Sequence, residues 1–346
     1  MVSDRPALRP EVWSPPPRDA RARAWREQHG MPGLSVIPLP GVGPEDVVVD
    51  AEGRLLCGVA DGRILRVRPD GRECTVVGDI SPGRPAGLEV LPDGRLLVCD
   101  ARLGRLLRLD PEAGADGKES GPEVLVDSVG GERLLFCSNV VAAADGTLYF
   151  TESSRRFGID HWRADMLEHS GTGRLLRLEP KDGGAEAEVL LEGLQFANGL
   201  ALGPDESFVA VAETGAYRVT RYWLTGDQQG GQETLVDLPG FPDNMSAAPA
   251  GGLLWIAMVA PRDPLLDLLH RTPPLLRQAL WRLPDRLLPG PAPTAWVIAV
   301  DAGGRIVHDL AGSGDCYRAV TGVCESEGRL FLGSLTESAL AVVDLP

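Results

Sequence analysis

Short apolar runs separated by turn signals fill most of the chain. The clearest unit begins at residue 45, EDVVVDAEGRLLCGVADGRILRVRPDG, where Val and Leu alternate with polar residues around Gly-containing turns. The same order returns as AGLEVLPDGRLLVCDARLGRLLRLDP from residue 86, and as SNVVAAADGTLYFTESS, continued by GTGRLLRLEPKDG, from 138. A fourth copy is ANGLALGPDESFVAVAETGAYRVTRYWL from 197, and a fifth is DNMSAAPAGGLLWIAMV from 243, completed after a long insert by WVIAVDAGGRIVHDL. The sixth is AVTGVCESEGRLFLGSLTESALAVVDL from 319. Period-two alternation bounded by D-G and G-G turns predicts strands, three or four to a unit. Units of about 40 to 50 residues with this content have the dimensions of a propeller blade, a four-stranded sheet stacked on its neighbours around a central channel. The pattern predicts an all-β fold, a six-bladed β-propeller over 34–346. The run LSVIPLPG at 34–41 is placed to pair with the last blade and close the ring.

Two excursions interrupt the strands, at about 155–172 and 261–296. The second reads as two short amphipathic helices separated by Thr272-Pro273-Pro274. Its leucines, Leu265, Leu266, Leu268 and Leu269, then Leu275, Leu276, Leu280 and Leu283, form stripes expected to pack inward, because an apolar helix face usually meets a core. Both inserts are expected to act as caps or lids over the channel mouth. Membrane contact through 261–296 is the less favoured reading. Residues 1–33 read as a Pro- and Arg-rich N-terminal arm, partly disordered or packed on the outside, without the apolar segment of a signal peptide.

Composition narrows the function classes. A net charge of −15 opposes nucleic-acid binding, which needs clustered Lys and Arg on phosphates. No window approaches the roughly 18 consecutive apolar residues of a spanning helix. The six cysteines form no C-x-x-C pair, and Cys57, Cys99 and Cys137 lie in or beside apolar runs. They are expected to be reduced core residues of a cytoplasmic protein, with no structural zinc.

The start of each inner strand carries the candidate chemistry. Aligned by their turns, the units lead with Glu45, Gly87, Asn139, Asn198, the pair Asp243–Asn244, and Thr321. In a propeller these positions point toward the axis at one face, so four blades would aim carboxylates or amides at one place. Calcium takes six to eight oxygens of these kinds, at roughly 2.3 to 2.6 Å. Zinc is disfavoured, because the set has no His or Cys. Singly, each Asn or Asp also reads as a turn former that bonds its own backbone. As a recurring set, they read as a site for Ca2+ or another divalent cation.

The segments GPEDVVVD, GRPAGLEVLPDGRLLVCDA, SNVVAAADGTLYFTESSRRF, FANGLALGPDESFVAVAET and PGFPDNMSAAPAGGLLWIAM resemble the strictosidine-synthase-like branch of the senescence-marker/gluconolactonase superfamily. Within it they are most similar to the adipocyte plasma membrane-associated protein type and its bacterial relatives. The resemblance covers about 36–345 and implies a six-bladed propeller with calcium at the channel mouth. The ligands it implies are Glu45, Asn139, Asn198, Asp243 and Asn244, with hydrolysis of lactones, aryl esters or phosphotriesters. Asp243 would double as ligand and catalytic base. Two departures stand out. Thr321 occupies the place of the strictosidine synthases' last-blade glutamate, with Glu325 nearby, and GRPAGL lacks the histidine of the serum paraoxonases. The expected function is calcium-dependent hydrolysis of a small lactone or aryl ester. Two alternatives remain: a calcium-stabilised propeller that binds a small molecule or protein without turnover, and a lyase or condensing enzyme using Glu325. His161 and His169, in the first insert, are read as loop residues that either line the pocket or lie outside it.

Overall fold

Each repeated unit folds into a four-stranded antiparallel sheet, and the six sheets form a six-bladed β-propeller. The computed structural model describes residues 5–17, 31, 33–113, 121–179, 186–284, 288 and 290–345. From the axis outward, the first blade runs Val47–Val49, Leu55–Gly58, Arg63–Val67 and Cys74–Asp79. The inner strands of the next four blades are Pro85–Val90, Cys137–Ala142, Ala197–Leu202 and Gly240–Ala247. In the last blade, inner strand Val320–Ser326 is followed by Arg329–Ser334 and Ala339–Asp344, and Ser35–Pro38 supplies the outermost strand. Ser35 pairs with Val342 and Pro38 with Ala339, so the two chain ends close the ring as the run at 34–41 suggests.

Apolar residues on both faces of every blade leave no single central core. Buried side chains gather instead into layers between neighbouring blades. Leu97, Phe150 and Leu176 pack between the second and third blades, and Phe208, Ile256 and Trp296 between the fourth and fifth. Phe331 and Leu340 of the last blade meet Val47 and Leu55 of the first, so the closing seam is as apolar as the others. Cys57, Cys99 and Cys137 are buried here as free thiols, while Cys316 is exposed.

A polar device repeats at the end of the second strand in three blades. Asp100, Glu152 and Glu213 each accept a backbone N–H from the loop entering the inner strand, from Arg84, Leu135 and Gln195 respectively. Each also pairs with the arginine opening the third strand: Arg105 at 2.7 Å, Arg174 at 2.8 Å and Arg218 at 2.7 Å. Glu152 and Arg174 are both buried. Breaking such a pair leaves a buried charge uncompensated, at a cost of about 3 to 5 kcal/mol. Glu152→Ala is therefore expected to lower the denaturant midpoint by that equivalent at an unchanged m-value.

Among the described residues the inserts form three α-helices: α1 (Trp162–Glu168), α2 (Pro264–His270) and α3 (Pro274–Trp281). Asp263 caps α2 by accepting the Leu265 N–H at 2.7 Å, and Pro264 takes the first helical position, where a missing N–H costs nothing. The second insert is shorter than 261–296. Ladder pairing holds Pro261 opposite Gly240 and Ala295 opposite Gly312, leaving 262–294 outside the sheet.

The leucine stripes do not all pack inward as the pattern suggests. Leu265, Leu268, Leu275, Leu276 and Leu283 are exposed, while Asp267, His270 and Arg277 are buried. The polar side chains turn inward because partners wait there. Asp267 accepts from Tyr217 Oη at 3.0 Å and from Arg262, His270 Nε2 lies 2.9 Å from the Met166 carbonyl, and Arg277 donates to the Leu167 carbonyl at 2.9 Å. Residues 5–17 of the N-terminal arm lie across this lid. Arg277 donates to the Glu11 carbonyl, Arg262 to that of Pro16 and Trp281 Nε1 to that of Pro6, while Trp13 stacks on His169 at 4.0 Å between centroids. The rest of the arm expected at 1–33, namely residues 1–4, 18–30 and 32, lies outside the described residues.

Candidate active site at the channel mouth

Between the leading ends of the inner strands and the lid lies a cavity of about 350 Å3. Glu45, Ser138, Asn198, Asp243, Thr214 and Thr321 form its polar end. Its walls are apolar: Phe136, Phe196 and Phe241 from the propeller, Trp162 and Met166 from α1, and Leu266 and Leu269 from α2.

Backbone irregularities aim the polar side chains. The pairing of inner and second strands slips within 85–88, 137–140, 197–200, 242–245 and 320–323, which are the stretches holding the leading residues. A bulge bends its strand and re-aims a side chain that regular alternation would turn into the sheet face. Close approach of neighbouring blades completes the arrangement. A Cβ at Gly199 would lie 2.4 Å from the Asp243 carbonyl oxygen and 2.5 Å from Asn244 Cα, and one at Gly87 would lie 2.5 Å from Asn139 Cα. Neither neighbouring backbone can give way. Gly199→Ala is expected to destabilise the protein by about 1 to 3 kcal/mol through overpacking, with the melting temperature as the measurement.

The five residues expected to form a cation site are brought together, though in two layers. Asn198 Nδ2 donates to Asp243 Oδ1 at 2.8 Å, and Asn139 Nδ2 donates to Asn244 Oδ1 at 3.0 Å. Glu45, Asn198 and Asp243 line the cavity. Asn139 lines the cavity entering from the other end of the channel, and its Oδ1 accepts the Leu200 N–H at 3.2 Å. Glu45 Oε2 and Asn244 Nδ2 are buried and form no hydrogen bond of ordinary geometry, although the Asn244 side chain is near enough to favour the charged form of Glu45. Burial raises the Glu45 carboxyl well above its usual range, and the charge of Asp243 adds to this, with the Arg84 guanidinium opposing. Burial also pushes Asp243 up to about 8, against its bond from Asn198, with Asp46 adding repulsion.

Several contributors carry little signal in the sequence. Ser138 Oγ donates to Asn198 Oδ1 at 3.0 Å, and Asn198 Nδ2 reaches Thr214 Oγ1 at 3.2 Å. Thr214 in turn donates to the Pro242 carbonyl at 2.7 Å, tying the fourth blade to the fifth. Asp46 accepts the Val47 and Leu88 N–H groups, both at 2.9 Å, and burial pushes its carboxyl to about 7. Arg84 occupies the stretch GRPAGL and is buried with Nη1 unpartnered. The adjacent acids in PEDV were the one visible hint of Asp46.

Thr321 is at the site, donating to the Glu45 carbonyl at 2.6 Å. Glu325 is not. Four residues along the same strand, it accepts from Trp255 Nε1 at 2.6 Å and does not line the cavity. Nor do His161 and His169. His161 stands edge-on to Trp281, and His169 is buried against Trp13 and His270.

Would a cation fit? Two carboxylates repel one another, one with an oxygen shut off from solvent, and amides surround them. A hard cation would relieve the repulsion and bind that oxygen. Among the described residues no three His, Cys, Asp or Glu side chains are grouped to hold a metal, so a cation here depends on the amides. Carboxylate and amide oxygens are the donor types a hard cation takes, though Asn139, Asn198 and Asn244 Oδ1 each already accept a hydrogen bond within the protein.

The fold is a six-bladed propeller similar to those of a gluconolactonase and a regucalcin. Superposition on a gluconolactonase of Xanthomonas campestris gives a TM-score of 0.65 at 20% identity, covering 99% of both chains. The regucalcin of Agrobacterium tumefaciens, described as a calcium-binding protein, gives 0.57 at 13% identity over 92% of this chain and 95% of that one. Family models for strictosidine synthase match residues 139–227, and for the strictosidine synthase-like N-terminal region residues 27–67. The chain is 34% identical over 328 residues to adipocyte plasma membrane-associated protein of Salmo salar, covering 88% of this chain and 76% of that protein. It is 32% identical over 344 residues to strictosidine synthase-like protein 10 of Arabidopsis thaliana, covering 91% and 88%. The chain belongs to the strictosidine synthase-like family. Among the described residues no helix is long and apolar enough to cross a membrane.

Proposed function

We propose that the protein is a calcium-dependent hydrolase of hydrophobic lactones or aryl esters. The observation that carries this reading is a pair of carboxylates at the floor of an otherwise apolar cavity: Asp243, which is buried, and Glu45, a half-buried residue whose Oε2 is shut off from solvent. Calcium held by Glu45, Asn139, Asn198, Asp243 and Asn244 would supply Lewis-acid polarisation of the substrate carbonyl. Asp243 accepts the proton of the attacking water at its carboxylate, as a general base must within hydrogen-bond reach. The water oxygen bonds to the carbonyl carbon, the ring or ester C–O bond breaks, and the proton passes from Asp243 to the departing oxygen. Asn198 orients Asp243 through its 2.8 Å bond. Phe136, Phe196, Phe241 and Leu266 exclude water and take up the apolar body of the substrate. These walls offer few donors for a polyhydroxylated sugar lactone, which favours an alkyl or aryl substituent.

Purified protein assayed on γ- and δ-lactones with alkyl chains, on gluconolactone and on phenyl acetate, with calcium or with chelator, tests the reading. Chelator-sensitive turnover, faster on alkyl lactones than on gluconolactone, is expected. Binding without turnover across the panel would instead identify a non-catalytic platform. Calcium should also stabilise the fold, by about 2.7 kcal/mol at a hundredfold excess over Kd. The check is a melting-temperature titration, and an unchanged melting temperature up to millimolar calcium would remove the metal from the account.

A further inference from the structure

The lid is turned inside out, and we infer that its outer face docks on an anionic lipid surface. On α2, Leu265 and Leu268 are 46% and 58% exposed; on α3, Leu275 and Leu276 are 74% and 52% exposed. Short helices that bury polar side chains and expose leucines are unusual in a water-facing lid. Among the described residues nothing covers these four leucines. Asp267, His270 and Arg277 are committed to inward bonds with Tyr217, the Met166 carbonyl and the carbonyls of Leu167 and Glu11, which lock the rotation of both helices.

Charge selects the occupant. The chain carries −15 overall, yet the exposed charged residues of 262–284 are Arg271 and Arg282, both cationic, while Arg262, Arg277 and Asp267 are buried and Asp263 is half-buried. Both acids are engaged, Asp263 in capping α2 and Asp267 with Tyr217 and Arg262. Arg271 and Arg282 are exposed at the ends of α2 and α3 beside the leucines. Leucines flanked by arginines match the acyl and headgroup layers of an anionic bilayer, where buried apolar area and attraction to anionic lipid add.

The cavity opens on this same face. Its exposed lining residues are Pro264, Leu265, Gly290, Pro291 and Ala292, so Leu265 belongs both to the outer apolar surface and to the entrance. A docked lid would place that entrance against the lipid, where hydrophobic esters partition. The docking itself does not depend on the hydrolase reading.

The test is co-sedimentation with vesicles of phosphatidylcholine alone and of phosphatidylcholine with phosphatidylglycerol, using the full chain. The substitutions Leu268→Glu, Leu275→Glu and Leu276→Glu are combined, because none of these residues lines the cavity. Wild-type protein is expected to sediment with the anionic vesicles, and the triple variant to lose about tenfold or more of its partitioning at an unchanged melting temperature. Arg271→Gln with Arg282→Gln, which spares the leucines, is expected to weaken anionic binding and keeps the test informative if the triple variant fails to fold. Absence of wild-type sedimentation, equal binding to neutral vesicles, or binding retained in the variants overturns the inference. So does a wild-type dimer in light scattering that the triple variant abolishes, since the face would then seat a second copy.

Discussion

Asp243→Asn is expected to lower turnover of any accepted lactone or aryl ester by about a thousandfold, within the range that loss of a positioned general base produces. The substitution keeps the size of the side chain and an acceptor oxygen for Asn198, so packing survives. What disappears is the negative charge and the ability to take a proton. In calcium-free protein the change should not destabilise, because the carboxylate is buried at 7% exposure beside Glu45 and Asp46, and burial has already raised it to about 8. Stabilisation by calcium should shrink, since one of two anionic ligands is gone. Steady-state kinetics on the best substrate and melting curves with and without calcium read the two effects separately. Turnover within tenfold of wild type would remove Asp243 from catalysis while leaving the cation site to stand or fall by the calcium titration.

Acid should loosen the lid through two histidines. Burial, aided by the neighbouring charges of His270, Arg277 and Arg218, pushes His169 down to about 3. Burial lowers His270 to about 4 against its bond to the Met166 carbonyl, with Arg277 assisting. Both lie below the unfolded value of about 6.5. Between that value and the folded ones the unfolded chain binds more protons, so the stability these groups contribute is complete above about 6.5 and is lost as pH falls. At pH 5 each histidine accounts for a loss on the order of 2 kcal/mol.

The carboxylates work in the opposite direction. Raised values at Glu45, Asp46, Glu89 and Asp243 favour the folded state as pH falls. The informative quantity is therefore a difference. His169→Phe preserves stacking on Trp13 and cannot ionise, so it should lose about 2 kcal/mol less than wild type between pH 7.5 and 5 in paired denaturation curves. Parallel pH profiles for the two proteins would show that the ring is not shielded by the arm.

The propeller was legible because its information is local. A blade needs alternation along each strand and a turn at each reversal, and runs such as VLPDGRLLVCD carry both within a dozen residues. Closure by 34–41 followed from the same alternation at the opposite chain end. The candidate site was legible as far as it repeats, since Glu45, Asn139, Asn198 and Asp243 lead equivalent strands. Arg84, Ser138 and Thr214 were not, because nothing in their immediate sequence distinguishes them from ordinary loop and strand residues. Glu325 illustrates the reverse error: proximity in sequence to Thr321 became separation along an extended strand, with the side chain bonded to Trp255.

Chain pattern by itself determined that six sheets form, where their turns fall and which blades carry oxygen-bearing side chains at one rim. Tertiary structure decided where those side chains point, through slipped registers at 137–140, 197–200 and 242–245 and through glycines that admit the neighbouring backbone. It also decided which face of the lid meets water. A helix rotates to satisfy its costliest groups first, and an unpaired buried Arg or Asp costs more than an exposed leucine. Partners for Asp267, His270 and Arg277 come from Tyr217, α1 and the arm, all remote in sequence. Hydrophobic periodicity reports that a helix has two faces; the partners assembled around it determine which one turns inward.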